Sequence, residues 1–362
     1  MPLDVISTVP FGVILVIVLG TILWTYSKKN LSPDSFFIAL FGYAFISIIA
    51  AFVCQQDLFD CMRLLCIAIF YGGTLLLFGL ALIAFKKNYK RTAIILLTLV
   101  IIVIGIGIDA FLVEPKCLET KTISVESEKI TSPIKIAVLS DLQTDKVSDY
   151  EKMALQKVLD QKPDIILLPG DYVQLNAAGN WQERELEIKK LNNLLAELKF
   201  SAKSGTFAVQ GNVDDPGWTR TFKALPIKTF INTSTEEAGE VFVTGLSFED
   251  SFNPKLKIPS TDRFQIVFGH GPDFSLGKID ADLLVAGHTH GGQVRIPGLG
   301  ALITFSSVPQ NWGTGGFFEI RPGSHLLVTT GVGHERYHAP RLRFFCHPEI
   351  VMINISPKAR AH

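Results

Sequence analysis

Four apolar runs crowd the start of the chain, at about residues 11–26, 36–54, 64–85 and 93–113, and no other feature limits the fold so sharply. A helix needs roughly 20 apolar residues to cross a bilayer. In lipid, a lone segment must satisfy its own backbone hydrogen bonds, which makes each run a helix. A mean hydropathy of +0.32 and an apolar share of 48% fit a chain that is partly a membrane bundle. The first run is the shortest, and a cleaved signal peptide is its alternative reading. Against that stand a start, MPLDVISTVP, with no positive charge, the lack of an obvious cleavage site, and the three runs that follow.

The connecting loops orient the bundle. Lys28 and Lys29 lie between the first two runs, and KKNYKR, from Lys86 to Arg91, lies between the last two. The loop QQDLFDCMR and the N-terminus are acidic or nearly neutral. Basic loops stay in the cytoplasm, so both chain ends are expected outside. Arg63 is the dissenting charge on the outer side and is expected to snorkel at the interface. Asp109 reads as an interfacial residue rather than an ion site. The runs carry almost no ionisable residue at depth, which argues against a transporter or channel. The expectation is an integral, multi-pass membrane protein with its remaining domain extracytoplasmic.

After Val113 the texture changes: charges recur every few residues and apolar runs shorten to five or six. The boundaries expected are therefore a transmembrane region at 1–113 and one α/β domain at 114–362, long enough for a sizeable core. Net charge is zero and the second part holds no Lys/Arg block, so no nucleic acid partner is expected. Of five cysteines, Cys54, Cys61 and Cys66 fall in or beside the runs. Whether Cys117 and Cys346 pair is left open. No CxxC occurs, which speaks against a thiolate zinc site.

In the second part, strands expected at 134–141, 164–171, 205–212, 263–270 and 281–290 alternate with helices at 150–160 and 181–198. Each strand delivers a polar residue at its C-terminal end, the edge where layered α/β sheets bind ligands. The set is Asp141, Gln143, Asp171, Asn212, His270, His288 and His290. Carboxylates, imidazoles and amide oxygens without thiolates suit a hard or borderline divalent cation: Mn, Fe, Zn or Mg. His288 and His290, two apart in an extended segment, turn to one side. Glycines at 170, 211, 269 and 287 each precede a ligand, and the backbone is expected to turn sharply there.

The blocks SDLQ, LPGD, QGNVD, FGHGPD and AGHTHGGQVRIP, followed by HPEIVMINI, resemble the ordered motifs of the calcineurin-like metallophosphoesterases, in particular a bacterial membrane-associated branch. The likeness spans roughly residues 134–356. It implies a four-layer α/β sandwich, two mixed β-sheets flanked by helices, preceded here by the all-α transmembrane bundle. It also implies two divalent metal ions. One would be held by Asp141, Gln143, Asp171 and His290; the other would share Asp171 and add Asn212, His270 and His288. A metal-bridging hydroxide would then attack phosphorus. Asp171, Asn212 and Asp214 are the residues it implicates in catalysis.

Two departures qualify the resemblance. Gln143 stands where the family usually has histidine, which weakens that position or shifts it toward harder ions. Val213 stands where the family usually has a histidine that assists the leaving group. Such help is typically worth ~10² to 10⁴-fold, so loss of it favours substrates with acidic leaving groups. His334 is a candidate replacement. The function expected is a membrane-anchored phosphodiesterase or pyrophosphatase acting on an envelope phosphate, lipid-linked or nucleotide-linked. The alternative is a weakened metal-binding membrane sensor.

Overall fold

The computed structural model describes residues 3–29, 31–175 and 179–358. The chain divides into two compact units, one built on Met1–Val113 with the segment Arg336–Arg341, the other on Glu114–Leu175, Gly179–Glu335 and Leu342–His362.

The first unit is all helix: α1 Leu3–Lys28, α2 Ser35–Cys54, α3 Leu58–Cys66, α4 Thr74–Lys86 and α5 Lys90–Ile108. A π-helical stretch, Ile67–Gly73, makes α3 and α4 one continuous rod, and another, Asp109–Val113, extends α5. Four helical segments, Ile6–Lys28, Ser35–Cys54, Leu58–Lys86 and Lys90–Lys116, are long and apolar enough to cross a membrane. Their outward faces carry exposed Phe41, Val53 and Ile101, while alanines (Ala39, Ala51, Ala81, Ala84, Ala93) fill the seam between them. Small seam residues let helix backbones approach closely where no hydrophobic drive exists. Within the π-helical stretch, Gly72 leaves room for Tyr43, whose hydroxyl donates to the Ala68 carbonyl at 2.8 Å. Arg63 is engaged within the helical unit. Its guanidinium turns inward to the buried carboxylate of Asp60 and to the hydroxyls of Ser7 and Thr8 on α1.

In the second unit the elements follow as β1 Glu119–Ser127, β2 Ile134–Val138, α6 Asp149–Asp160, β3 Ile165–Leu168, α7 Trp181–Glu197, β4 Thr206–Val209 and β5 Lys228–Phe230. Next come β6 Ser234–Ala238, β7 Val241–Gly245, α8 Phe248–Ser251, β8 Lys257–Ile258, β9 Phe264–Phe268, β10 Lys278–Ile279 and β11 Leu283–Ala286. The series ends with β12 Arg295–Ile296, β13 Gly300–Ala301, α9 Gln310–Gly313, β14 Gly316–Arg321, β15 Ser324–Val328 and β16 Glu349–Pro357.

Two mixed six-stranded sheets result, in the orders β1-β16-β2-β3-β4-β5 and β14-β15-β11-β9-β7-β6. Strands β2 to β5 run parallel, as do β7, β9, β11 and β15, so their C-terminal ends share an edge within each sheet. Strand alternation sorts the side chains into layers. Ile136, Val138, Ile165 and Leu167 of one sheet meet Phe264, Ile266, Phe268 and Leu283 of the other in a buried cluster between them. The opposite face of the first sheet, with Ala137 and Ile166, packs on α6 and α7 through Leu155, Val158, Leu191 and Leu195. Both helices begin with a capping box, at Ser148/Glu151 and Asn180/Glu183. The outer face of the second sheet is covered by thinner material, with Leu246, Ile258, Phe274 and Ile279 over Leu284 and Leu326.

The expected strands are present but shorter by two to four residues at their C-terminal ends. The ligand-type residues have already left the ladder. Cys117 and Cys346 are unbridged thiols, one exposed and one buried, and the Cys346 thiol donates to the His290 carbonyl at 3.2 Å.

Candidate metal centre

Past the strand ends the loops keep pairing with one another. Asp141 N–H donates to the Gly170 carbonyl (3.1 Å), Gln143 N–H to that of Asp171 (2.9 Å), and Gly287 N–H to that of His270 (2.9 Å). Five of the seven candidate ligands have left-handed backbones: Asp141, Gln143, Asp171, His288 and His290, with φ of 53°, 37°, 60°, 69° and 47°. Such conformations are costly outside glycine and persist only when the surroundings impose them. The expected division of labour is thereby corrected. Of Gly170, Gly211, Gly269 and Gly287 only Gly170 has positive φ; the ligand residues themselves make the turns. Gly211 and Gly287 serve close approach, since a β-carbon at either would overlap the carboxylate of Asp171 or Asp141.

All seven residues come together. Asp141, Asp171 and His290, each buried, offer ligand atoms within 4.8 Å of one another. The Gln143 amide nitrogen donates to Asp171 Oδ2 at 3.1 Å. On the other side of Asp171, His270 Nε2 lies 3.4 Å from the same Oδ2 and 2.6 Å from Asn212 Oδ1, and His288 Nδ1 lies 2.7 Å from that amide oxygen. Asp171 is thus common to two donor sets.

The chemistry of these atoms calls for a cation. The Pro169 carbonyl, 2.8 Å from His270 Nδ1, must receive a proton from it, which leaves Nε2 of the neutral ring bare. The Phe305 carbonyl, 3.2 Å from His288 Nε2, likewise leaves His288 Nδ1 bare. Two imidazole lone pairs and an amide then face one another beside a carboxylate oxygen, a set of donors that a metal ion would satisfy together. Opposite them, neither ring nitrogen of His290 nor Asp141 Oδ2 has a hydrogen-bond partner among the described residues, although both residues are buried. Unpartnered polar atoms at such depth are rare and expensive.

Charge tells the same story. Burial drives both carboxyls upward; at Asp141 it wins, with the charge of Asp171 behind it, and the group reaches about 7. At Asp171 burial is again the largest single effect, but the charge and hydrogen bond of His270, the Val213 N–H and the charge of His288 together outweigh it and leave the group below its ordinary value. Burial opposes protonation of His270, but the Asp171 and Asp141 carboxylates raise it to about 9. Burial and the charge of His270 depress His288 to about 4, and burial, with Arg343, holds His290 well below its ordinary value. Lowering of this kind keeps the imidazole lone pairs of His288 and His290 available to a metal ion.

Asp214, expected among the catalytic residues, has both carboxylate oxygens in backbone hydrogen bonds. Its Oδ2 accepts from the backbone N–H groups of Gly211 (2.8 Å) and Asp171 (2.9 Å), and its Oδ1 from that of Tyr172 (3.0 Å). Both oxygens are occupied in clasping two ligand loops. Val213 is half-buried; its N–H donates to Asp171 Oδ1 (3.0 Å) and its carbonyl accepts from Arg184 (2.6 Å). The charge of His334 adds to the depression of His290. Two residues with no motif to announce them also belong here. Phe252 sets its ring edge-on to His270 and His288, at 6.1 and 5.0 Å between centroids. Glu335 accepts from Gln143 Nε2 at 3.3 Å.

A sequence model of the family described as calcineurin-like phosphoesterase matches residues 134–292, the stretch that carries every one of these ligands. Phosphodiesterase YaeI of Escherichia coli is 30% identical over 243 residues, covering 62% of this chain and 83% of that protein. The metallophosphoesterase Cj0846 of Campylobacter jejuni is 25% identical over 81% of each chain. YkuE of Bacillus subtilis, also described as a metallophosphoesterase, is 27% identical over 69% of this chain and 90% of its own. The chain belongs to the calcineurin-like metallophosphoesterases, and it is a hydrolase of phosphate esters.

Proposed function

We propose that this protein is a membrane-anchored phosphodiesterase that works with two divalent cations on an extracytoplasmic, lipid-linked phosphate. The carrying observation is the sharing of Asp171 between two donor sets: Asp141, Gln143 and His290 on one side, Asn212, His270 and His288 on the other. Divalent cations held there supply Lewis acidity to water and to phosphoryl oxygens.

The chain's own residues do the rest. Asp171, with Oδ1 fixed by the Val213 N–H, keeps Oδ2 aimed at both sides. His288 presents Nδ1 because its other nitrogen is committed to Phe305. Asn212 is exposed and His288 partly so, while Asp141, Gln143, Asp171, His270 and His290 are buried. A phosphoryl group therefore approaches over Asn212 and His288. Position 213 offers the leaving group no proton, so acidic leaving groups such as aryl or pyrophosphate oxygens leave most readily. The reading of the substrate as lipid-linked rests on the apolar helices and on the basic loops Lys28–Lys29 and Lys86–Arg91, which orient the catalytic unit outward.

The test uses the full chain in detergent. It should hydrolyse bis-p-nitrophenyl phosphate when supplied with Mn, Mg, Fe or Zn, and Asp171→Ala should bring the rate to background. Turnover of monoesters with none of diesters would overturn the diester assignment, and metal-independent turnover would overturn the mechanism.

A further inference from the structure

Gln143 poses a problem that the geometry answers. An amide ligates a metal through oxygen, yet the nitrogen end of Gln143 is the end turned toward Asp171 Oδ2, 3.1 Å away. That oxygen also faces His270 Nε2 at 3.4 Å, so a cation in the centre would claim it. The amide nitrogen would then need another acceptor, and without one the side chain would have no reason to present its oxygen. Glu335, 192 residues further along the chain, already stands there with Oε2 at 3.3 Å from the same nitrogen.

Glu335 is itself held from two directions. Its Oε1 accepts from the side-chain amide of Gln174 at 2.5 Å, and its backbone N–H donates to Gln293 Oε1 at 2.7 Å. Gln293 follows the segment of His288 and His290, and it too has a left-handed backbone, with φ of 55°. The carboxylate is thus tied to the Asp171 loop through Gln174, and the Glu335 backbone to the histidine loop through Gln293. Partners that orient a ligand commonly matter almost as much as the ligand.

We propose that Glu335 is the positioning residue that makes a glutamine workable as a metal ligand at 143. It holds the amide nitrogen and so turns the amide oxygen toward the first metal position. The inference rests on the proposed reading of Gln143 as a ligand.

Manganese binding to the full chain in detergent, followed by the EPR signal of free Mn²⁺ and by metal content, tests it without reference to turnover. The unaltered chain should bind two Mn²⁺. Glu335→Gln should weaken one of the two by roughly 10- to 100-fold and leave the other unchanged. In a Gln143→Ala background, Glu335→Gln should weaken binding no further, because its effect passes through the missing amide. A second loss in that background, or unaltered binding in Glu335→Gln, overturns the proposal. Should the glutamine variant fail to fold, Glu335→Asp, carried through the same cycle, decides between the same two outcomes. If Gln143→Ala alone leaves both affinities intact, the reading of Gln143 as a ligand fails, an outcome distinct from a failure confined to Glu335.

Discussion

At the scale of single residues, valine at 213 is the most informative departure. Its main chain is fully employed, the N–H by Asp171 and the carbonyl by Arg184, while its side chain adds no protic group. Substitution there should consequently change chemistry more than structure. Val213→His should raise kcat on alkyl phosphodiesters by ten-fold or more, within the ~10² to 10⁴-fold span of general acid help, and change aryl diester turnover far less. Parallel rates on the two substrate classes would show that leaving-group protonation does not limit this enzyme. The candidate ligands were legible as a group because they lie just past apolar runs and because GHTHGG is a rare string, and the structure brings them together. Glu335 and Phe252 were not. They reach the centre across long sequence separations, and nothing in their local sequence distinguishes them from surface or packing residues. Asp214 was legible by its place beside the candidate ligands, but not the use of its oxygens, which accept from three backbone amides.

Elements carry the next level of control. Helix α7 supports the loop after β4 through Arg184, which holds the Val213 carbonyl and also pairs with Asp215 at 3.1 Å. Arg220, over the Trp181 ring, takes Asp215 in two bonds of 2.5 and 2.7 Å. The Arg220 bond holds the Asp215 carboxyl below its ordinary value against the opposing effect of burial. A carboxyl depressed by folding stabilises above its unfolded pKa, about 3.9, and that contribution fades as pH falls through the lower folded value. Asp215→Asn should accordingly cost about 1 kcal/mol at neutral pH, part-exposed ion pairs being weak. In thermal melts, the gap between variant and parent should close as pH drops below about 4. A gap that stays constant into acid would assign the loss to packing instead. The same level explains what the sequence concealed about the fold. Strands β3 and β11 are continuous apolar runs, and β2, β4 and β9 are broken by one polar residue each, because both of their faces are largely covered. β1 and β6 lie at sheet edges and expose most of their residues, so ETKTISVES and STEEA read as polar linkers.

At the scale of the whole molecule, the question is which side of the membrane each unit meets. Arg63, the one charge that spoke against the orientation, is neutralised by Asp60 at 2.5 Å, which removes its weight from the balance of loop charges. Cys117 is exposed in the catalytic unit. A membrane-impermeant maleimide should label it in intact cells. A cysteine introduced by Lys87→Cys, between the third and fourth spans, should react only after permeabilisation. The reverse pattern would put the catalytic unit in the cytoplasm and end the case for an envelope substrate.

The position of β16 has a consequence for how the protein is made. Residues 349–357 fill the gap between β1 and β2, two strands synthesised more than two hundred residues earlier. At ~5–20 residues per second, a ribosome leaves β2 waiting roughly ten seconds or more for its neighbour. During that interval the nascent sheet offers two open edges to any passing strand. A chain of this design should need those edges protected while it is made, and truncation before residue 349 should yield an aggregate rather than a weak enzyme, which the soluble fraction of the truncated protein would check.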